Sequence, residues 1–397
     1  GPPKGAGVPS PPGPPEGAGV PSPPGPPEGA ALSSPPGPPE GAGAGGPLSP
    51  LAADRKVRTL VSVVIPARNE ALNVDYTLES LFAQTRLPDE IVLADACSAD
   101  ETVERFLRHR HRRIPLTVTR NESLFAGGGR NAGTRAAAHD IIVFMDLGNR
   151  AERDWLEAMA RPFEEDPELD FLGGLHLPIS DTPFRRVCTA VLEHHRRGMD
   201  KEQIRALITD QVVPGGMCMA YRRRILKRVG GFSEWARKGQ DRLFGYKVRR
   251  MGGKVSITLD AKVHHKMPRS FRQLWARHYL YELWVSRIGL PRSNLGKLVA
   301  IYGAGLAVLA ASIVFPWLLL PAAVLLILYL NLRVWRKLAL FQADGEERFR
   351  LRDRLLGVAV LFTSEAAVVL GGVLGLLDRL VRPSWRRRTK SYLEGSP

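Results

Sequence analysis

The sequence predicts an α/β domain that lies between a low-complexity tail and a set of apolar helices. Three observations support this organisation. Over residues 57–290, short apolar runs that end in polar residues alternate with helix-like stretches. Residues 1–56 are rich in Pro, Gly, Ala and Ser, and residues 291–397 carry long apolar runs. We therefore expect domain boundaries near residues 56 and 290.

Twelve-residue repeats make up most of the tail. GPPKGAGVPSPP, GPPEGAGVPSPP and GPPEGAALSSPP follow one another, and a looser copy begins at Gly37. A period of twelve rather than three excludes a collagen helix. The repeats hold almost no large apolar residues and cannot bury a core, so we expect a disordered, partly polyproline tail. A proline-motif ligand for an adaptor is the alternative.

Four strands are predicted in the first half of the α/β domain. LVSVVIP ends in Pro66 and precedes an amphipathic helix over residues 71–83, and EIVLAD ends on Asp95 before the helix-like SADETVERFLRHR. PLTVTR is the third strand. A glycine turn in GGGRNAGTRAAAH then opens into a helix before the fourth strand, IIVFMD. Strands that alternate with helices predict a parallel, doubly wound sheet.

Three apolar runs follow the α/β domain, at residues 298–314, 322–332 and 355–377. Membrane helices need about 20 apolar residues, and the second run is short by that measure. Basic residues flank the first two runs, so the positive-inside rule predicts a hairpin with both ends in the cytoplasm. The third run is interrupted by TSE around Glu365, and basic residues follow it as well. It either crosses against the charge rule or dips into the membrane, and the pattern leaves both open.

The composition restricts the possible partners. The 397 residues carry a formal net charge of +16, which is compatible with nucleic acid, anionic lipid or a phosphate-rich ligand. We expect no nucleic-acid partner, because the chain has neither an aromatic stacking platform nor a recognition motif. The three cysteines have no C-x-x-C spacing, so the chain has neither a disulfide framework nor a zinc site, and a reducing compartment is expected.

Polar residues gather where the predicted strands end. PARNE follows the first strand, DACSADET the second and DLGN the fourth. The carboxyl ends of parallel strands share one edge of a sheet, which is where ligands bind in open α/β folds. One acid at a strand end is compatible with a helix cap, but three polar strand ends on one edge predict a binding site.

Several of these motifs, in this order, resemble the inverting family 2 glycosyltransferases. The resemblance covers about residues 60–290 and rests on VSVVIPARNE, EIVLADACSADET, GGGRNAGTRAAAHDIIVFMD, DWLEAM and VVPGGMCMAYRRRILKRVGGFSEWARKGQDRLFGYKVRRMGGKVSI. It implies a GT-A domain, the Rossmann-like fold of nucleotide-diphospho-sugar transferases, followed by C-terminal transmembrane helices. MPRSFRQLWARHYLYELWVSR and the apolar helices are similar to the membrane-bound branch that builds bacterial exopolysaccharide and lipid-linked glycans.

The resemblance assigns six residues to donor binding: Pro66, Arg68, Glu70, Asp95, Arg130 and Asp146. The first three would line the nucleotide pocket, and Asp95 would accept hydrogen bonds from the base or ribose. Arg130 would sit near the diphosphate, whose geometry a guanidinium matches. Asp146 corresponds to the first acid of the D-x-D motif that holds the sugar-nucleotide through a divalent cation.

A catalytic base is expected from the chemistry as well. An inverting transfer needs one carboxylate to take the proton of the acceptor hydroxyl. The family base is the Asp of an E-D pair just before a helix, and the matching residue in GQDRLFGYKVRRMG is Asp241. Its neighbour is Gln240 rather than Glu. A helix-start acid favoured by the macrodipole is the plain structural reading, and it is compatible with catalysis.

The second acid of D-x-D is missing, since Gly148 stands in its place. One carboxylate supplies fewer oxygen ligands than Mg²⁺ or Mn²⁺ prefers, although the donor diphosphate supplies further oxygens. Family members often place a metal-binding histidine in a V-x-H, which makes His265 the second candidate ligand beside Asp146, with His264 as the fallback. The alternative is weak or absent metal binding, with Arg130 and nearby lysines neutralising the phosphates.

The expected function is an inverting hexosyltransferase that moves a sugar from a nucleotide-diphospho-sugar to a lipid-linked or polysaccharide acceptor. The hairpin and its basic flanks imply a multi-pass protein of the cytoplasmic membrane that contacts membrane lipids, with the catalytic domain in the cytoplasm. Addition of a single sugar is expected, because RQLWARHYLYELW does not supply the Q-x-x-R-W of processive synthases. The alternative is a catalytically silent membrane scaffold of the same fold that binds a nucleotide-sugar or a partner.

Overall fold

A computed structural model of the chain describes residues 58–193, 214–290, 295–343 and 348–395. The predicted repeat tail lies outside the described residues. The domain boundary expected near residue 290 stays a prediction.

An eight-stranded mixed sheet forms the centre of the described α/β part, in the order β3-β2-β1-β4-β7-β6-β8-β5. The strands are β1 Val61–Ala67, β2 Glu90–Asp95, β3 Leu116–Arg120, β4 Ile141–Phe144, β5 Arg150–Ala151, β6 Leu169–Ile179, β7 Met219–Arg222 and β8 Lys254–Lys266.

The first half of the sheet is parallel throughout, and in the second half only β6 and β8 form a parallel pair. β1 pairs in parallel with β2 and with β4, and β2 pairs in parallel with β3. The prediction of a wholly parallel sheet is wrong beyond β4, because β7 runs antiparallel to both β4 and β6 and β5 runs antiparallel to β8. The four strands found from the sequence are joined by helices, whereas β7 enters the sheet as a reversed strand between distant segments.

Helices cover both faces of the sheet and continue into the C-terminal part. They are α1 Val74–Phe82, α2 Thr102–Arg108, α3 Ala126–Ala136, α4 Trp155–Glu165, α5 Pro183–Cys188, α6 Arg223–Val229, α7 Gln240–Arg250, α8 Phe271–Ile288, α9 Leu295–Ala311, α10 Leu319–Leu330, α11 Arg336–Ala343, α12 Leu351–Val381 and α13 Ser384–Glu394.

Alternation along β1 explains how the sheet is covered. Val61, Val63 and Ile65 point into one hydrophobic cluster with α1, α2 and α4, while Val64 points into a second cluster with α6 and α7. Successive side chains of a strand face opposite sides, so a strand buried on both faces is continuously apolar. The run VSVVI, in which only Ser62 is polar, is therefore a central strand.

The C-terminal helices pack on the α/β part through small residues. A Cβ built at Gly371 would lie 2.4 Å from the carbonyl oxygen of Tyr279, and one built at Gly375 would lie 2.4 Å from that of Leu283. Glycine at these positions lets α12 approach the backbone of α8 closely.

Within the described residues, two helical segments are long and apolar enough to cross a membrane, by length and composition: Pro316–Gln342, with 27 residues, and Leu351–Val381, with 31 residues. They contain the second and third predicted runs. The first predicted run forms α9, which has 17 residues and is shorter than a usual span.

Glu365 sits in the middle of α12 and is buried. Its carboxylate pairs with Arg333 Nη2 at 2.6 Å and accepts hydrogen bonds from the hydroxyls of Tyr302, at 2.7 Å, and Tyr329, at 2.5 Å. A charge buried among apolar helices needs such partners, so the TSE interruption is a polar junction of three helical segments.

Candidate active site

The loops after β1 and β2 are joined to each other at the carboxyl edge of the sheet. Ala67 and Asp95 are register partners at the ends of the two strands. Asn69 Oδ1 accepts from the Ala99 amide at 2.8 Å, and the Asn69 amide donates to Ser98 Oγ at 2.9 Å. These bonds hold the PARNE and DACSADET motifs together, which agrees with the expectation that polar residues after neighbouring strands lie at one edge of the sheet.

Asp95 organises the second loop. Its carboxylate accepts from the Ser98 amide at 3.0 Å and from Ser98 Oγ at 2.5 Å. The turn places Cys97, an exposed residue, at a φ of +55°. The structure therefore holds the Asp95 carboxylate in a fixed direction at the strand end.

The three predicted residues after β1 have different environments. Pro66 is half-buried against α3, since a Cβ built at Gly129 would lie 2.8 Å from the Cβ of Pro66. Arg68 is exposed. Glu70 is half-buried and accepts from Asn73 Nδ2 at 2.5 Å. Burial raises the pKa of Glu70, the bond from Asn73 lowers it, and the nearby charge of Asp146 raises it further.

Asp146 lies at the end of β4 and pairs with Arg130. Arg130 Nη2 donates to Asp146 Oδ1 at 3.1 Å, and the arginine side chain is 1% exposed while the aspartate side chain is 38% exposed. Burial raises the pKa of Asp146. The positive charges of Arg130 and Lys238 lower this pKa, and the negative charge of Asp241 raises it. The Arg130 guanidinium also lies 5.9 Å from the ring of Phe144. The two residues are thus brought together, with Arg130 beneath Asp146.

Asp241 reaches the same place from the first turn of α7. Its Oδ2 accepts from the Gly216 amide at 2.8 Å, and its Oδ1 accepts from the Arg242 amide at 2.9 Å. The carbonyl of Gly216 accepts from Arg130 Nη2 at 3.1 Å. The backbone of Gly216 therefore links Asp241 to Arg130, and Arg130 in turn is bonded to Asp146.

Gly148 has a structural reason to be glycine. Its φ is +86°, and a Cβ built there would lie 3.3 Å from Cγ of Asn73, which is closer than side chains normally pack. The Gly148 amide donates to Thr77 Oγ1 at 3.0 Å, which fixes the turn. An aspartate at this position would be strained and would push against Asn73. The missing second acid is therefore part of how this turn is built.

The residues expected to hold a metal do not form a complete site by themselves. Among the described residues, no group of three His, Cys, Asp or Glu is placed to hold a metal ion. His265 is buried, with its ring centroid 5.7 Å from that of His176, and His264 Nε2 lies 3.0 Å from Glu152 Oε1. Asp146 is already paired with Arg130. Among the described residues, the oxygen ligands around Asp146 are too few to complete a Mg²⁺ or Mn²⁺ site without oxygens from the donor diphosphate.

Two residues of the site were missed by the sequence reasoning. Gly216, in the VVPGGM stretch, bridges two charged residues through its backbone. Asn73 bonds Glu70 and packs behind Gly148. The hydrogen bonds at Gly216 are made by its backbone, so its residue type does not reveal them. The paired glycines in VVPGGM do indicate that another group packs close to the backbone there.

Comparison with known proteins identifies the domain that carries this site. Residues 62–230 match the model described as Glycosyl transferase family 2. A Haemophilus influenzae protein described as an uncharacterized glycosyltransferase is 27% identical over 187 residues, which cover 46% of this chain and 59% of the relative. The O-antigen chain rhamnosyltransferase RfbN of Salmonella typhimurium is 25% identical over 223 residues, or 55% of this chain and 70% of the relative. The chain thus spans less than two thirds of the Haemophilus relative.

Among solved structures, the mannosyltransferase PcManGT from Pyrobaculum calidifontis, in complex with GDP-Man and Mn²⁺, is similar in outline. It is 19% identical, with a TM-score of 0.48, over 81% of this chain and 88% of that chain. The family match and the mixed α/β sheet confirm the predicted GT-A class and enzyme assignment at the level of the domain. The chain carries a family 2 glycosyltransferase domain, and residues 62–230 form its matched part.

Proposed function

We propose that the protein is an inverting glycosyltransferase that moves a sugar from a nucleotide-diphospho-sugar to a lipid-linked or polysaccharide acceptor. The observation that carries the proposal is the position of Asp241, whose carboxylate is held by the Gly216 backbone beside the Arg130–Asp146 pair. A fixed carboxylate next to the strand-end loops is the arrangement that a single-displacement transfer requires.

The donor side is assigned to the loops after β1, β2 and β4. Asp95 has its carboxylate oriented by Ser98, which suits acceptance of hydrogen bonds from a base or ribose. Pro66, Arg68 and Glu70 follow on the neighbouring loop, which is bonded to the Asp95 loop. Asp146 stands at the end of β4, where the predicted metal and diphosphate contacts would lie.

The transfer itself needs one base. Asp241 takes the proton of the acceptor hydroxyl while the acceptor oxygen bonds the anomeric carbon of the donor sugar. The bond from that carbon to the diphosphate breaks, and its electron pair leaves with the nucleoside diphosphate. One displacement on the opposite face inverts the anomeric configuration. The bonds from Gly216 and Arg242 fix Asp241 during this step, which limits the reorganisation of the site.

Arg130 is proposed to act mainly through its neighbours. Its Nε and Nη1 are buried and have no hydrogen-bond partner among the described residues, while its Nη2 holds Asp146 and Gly216. Its positive charge lies under the position expected for the diphosphate and favours negative charge there. Direct contact of the guanidinium with the phosphates would require the Arg130 side chain, which is 1% exposed, to become accessible. Lys238, an exposed cation near Asp146, can supply such contact.

Membrane attachment is the second part of the proposal. Pro316–Gln342 and Leu351–Val381 are suited to cross a bilayer, and basic residues flank them. Two Salmonella relatives are named as O-antigen chain rhamnosyltransferases, which is consistent with a glycan acceptor in the cell envelope. We place the catalytic domain on the cytoplasmic side of the cytoplasmic membrane, near a lipid-linked acceptor.

A silent scaffold is the competing proposal. The observation that favours it is the engagement of Asp146 by Arg130 together with the turn that excludes an acid at Gly148. Against it, Asp95, Asp146 and Asp241 all stand at the predicted strand or helix ends.

The test is nucleoside diphosphate release by the detergent-solubilised protein from a panel of UDP-, GDP- and dTDP-sugars. Membrane lipid extract serves as acceptor, and each donor is assayed with and without Mn²⁺ or Mg²⁺. Release from one donor that is lost in both Asp241→Asn and Asp146→Ala supports the transferase. A donor that binds without turnover in any condition would favour the scaffold. His265→Ala, compared with wild type over a Mn²⁺ titration, tests the predicted metal ligand.

A further inference from the structure

A second cleft lies next to the proposed donor site. Its volume is about 280 Å³, and it is formed by the end of β8, by α5 and by the start of α8. Six residues line it: Arg185, Lys266, Met267, Pro268, Gln273 and Arg277.

The cleft carries a concentration of positive charge. Three of its lining residues are cationic, and Arg185 Nη1 lies 2.7 Å from the carboxylate of Asp181. The start of α8 adds the positive end of an 18-residue helix, capped by Ser270 Oγ, which accepts from the Gln273 amide at 3.3 Å. An anion is therefore the ligand class that the cleft favours, and Arg with Lys at one site suits a phosphate.

Apolar surface continues from the cleft along α8. Phe271 and Trp275, one turn apart, are 39% and 36% exposed. Phe184 of the neighbouring α5 packs edge-on against Phe271, with ring centroids 5.1 Å apart. Exposed aromatic rings beside basic side chains are typical of the interface between a membrane and water. A ligand with a phosphate head and an apolar tail would match both surfaces.

Lys266 connects this cleft to the donor loops. Its Nζ lies 3.4 Å from Asn73 Oδ1 and 4.4 Å from the ring centroid of Tyr76. Asn73 in turn bonds Glu70 and packs behind Gly148. One side chain therefore separates the cleft from the loops assigned to the donor.

We propose that this cleft binds the phosphate group of a lipid-linked acceptor, with the lipid tail running over Phe271 and Trp275. The ligand class is a phosphate ester of a long apolar alcohol. The inference rests on the proposed function, because it assigns the acceptor half of the same reaction. A membrane phospholipid or free phosphate presents related chemistry, and the experiment separates these sources.

The experiment measures equilibrium binding of radiolabelled farnesyl phosphate to the full-length protein in detergent. The test variant is Arg277→Gln, and the matched control is Arg272→Gln, an exposed arginine on the same helix that does not line the cleft. We expect Arg277→Gln to weaken binding at least tenfold and Arg272→Gln to leave it within twofold. Arg277→Lys should recover part of the affinity, since it restores the charge but not the guanidinium fork.

Competitors identify the source of the phosphate. We expect an excess of farnesol, inorganic phosphate or phosphatidylglycerol to displace the probe poorly. Equal displacement by farnesol would overturn recognition of the phosphate, and equal displacement by inorganic phosphate or phosphatidylglycerol would overturn the assignment to an acceptor. Equal affinity of the Arg277→Gln and Arg272→Gln variants would overturn the location. The assay needs no sugar donor, so a protein that binds farnesyl phosphate through Arg277 but turns over no donor would refute the proposed transferase alone.

Discussion

Asp241→Asn is the substitution that tests the proposed mechanism most directly. It keeps the size and hydrogen-bonding shape of the side chain and removes the negative charge. The amide oxygen can still accept from the Arg242 backbone, but the amide nitrogen would then face the Gly216 amide, which now donates to Oδ2 at 2.8 Å. Two donors would oppose each other at that contact.

The expected loss of activity is large and the loss of stability moderate. Removal of a general base typically lowers kcat by about 10²–10⁴, which corresponds to roughly 3–5 kcal/mol of transition-state stabilisation. The lost bond to the Gly216 amide costs about 1–3 kcal/mol of folding free energy. The upper part of that range is not expected, because Asp241 is only half-buried. The variant should therefore fold and bind donor.

The assay is nucleoside diphosphate release under saturating donor, with thermal unfolding recorded on the same preparation. Asp260→Asn is the control, since Asp260 is an aspartate with 46% side-chain exposure that pairs with Arg161 on the surface. We expect the control to keep its kcat within twofold. A folded Asp241→Asn protein that retains more than a tenth of the wild-type kcat would refute the role of Asp241 as the base.

Three further substitutions test the site around it. Gly148→Asp should lower the free energy of unfolding by about 1–3 kcal/mol without tightening Mn²⁺ binding. When it is combined with Asn73→Ala, the loss of unfolding free energy should be smaller than the sum of the two single losses. Additive losses in denaturant unfolding would contradict a contact between residues 73 and 148. Arg130→Met should lower stability by about 1–2 kcal/mol, because it removes the ion pair to the partly exposed Asp146 carboxylate and the bond to the Gly216 carbonyl, and an unchanged unfolding midpoint would contradict these contacts. The pKa of Glu70 is raised from its ordinary 4.5 in the folded chain, so the folded state holds this proton more tightly and stability falls as pH rises above 4.5. Glu70→Gln should therefore raise the midpoint relative to wild type at pH 7, with the difference vanishing near pH 4, and an equal midpoint at pH 7 would refute this reasoning.

Local signals in the sequence identified the elements that carry the site. Apolar runs that end on Asp95 and Asp146 indicated two strand ends. The helix-start position of Asp241 followed from the resemblance to family 2 glycosyltransferases and not from a local pattern. Their neighbourhood could be expected because parallel strand ends share an edge. The identity of the domain came from motif order rather than from any single residue.

The contacts that complete the site were not predictable from local patterns. Arg130 meets the carbonyl of Gly216 across 86 positions of sequence, and that meeting depends on the reversed strand β7, which no strand–helix alternation announces. Behind Gly148, the reason for the missing acid is the side chain of Asn73, which belongs to another loop. Such contacts depend on packing between segments that are far apart in the chain, and a single sequence does not show which distant segments pack together.

The order in which the chain is synthesised affects how the polar junction around Glu365 can form. Arg333 leaves the ribosome 32 residues before its carboxylate partner, and the Tyr302 hydroxyl leaves even earlier. If the helices insert into a membrane in chain order, the cation of Arg333 enters without its counter-ion. Insertion of that segment would then be reversible until α12 delivers Glu365, which would hold the helices together only after α12 has been made.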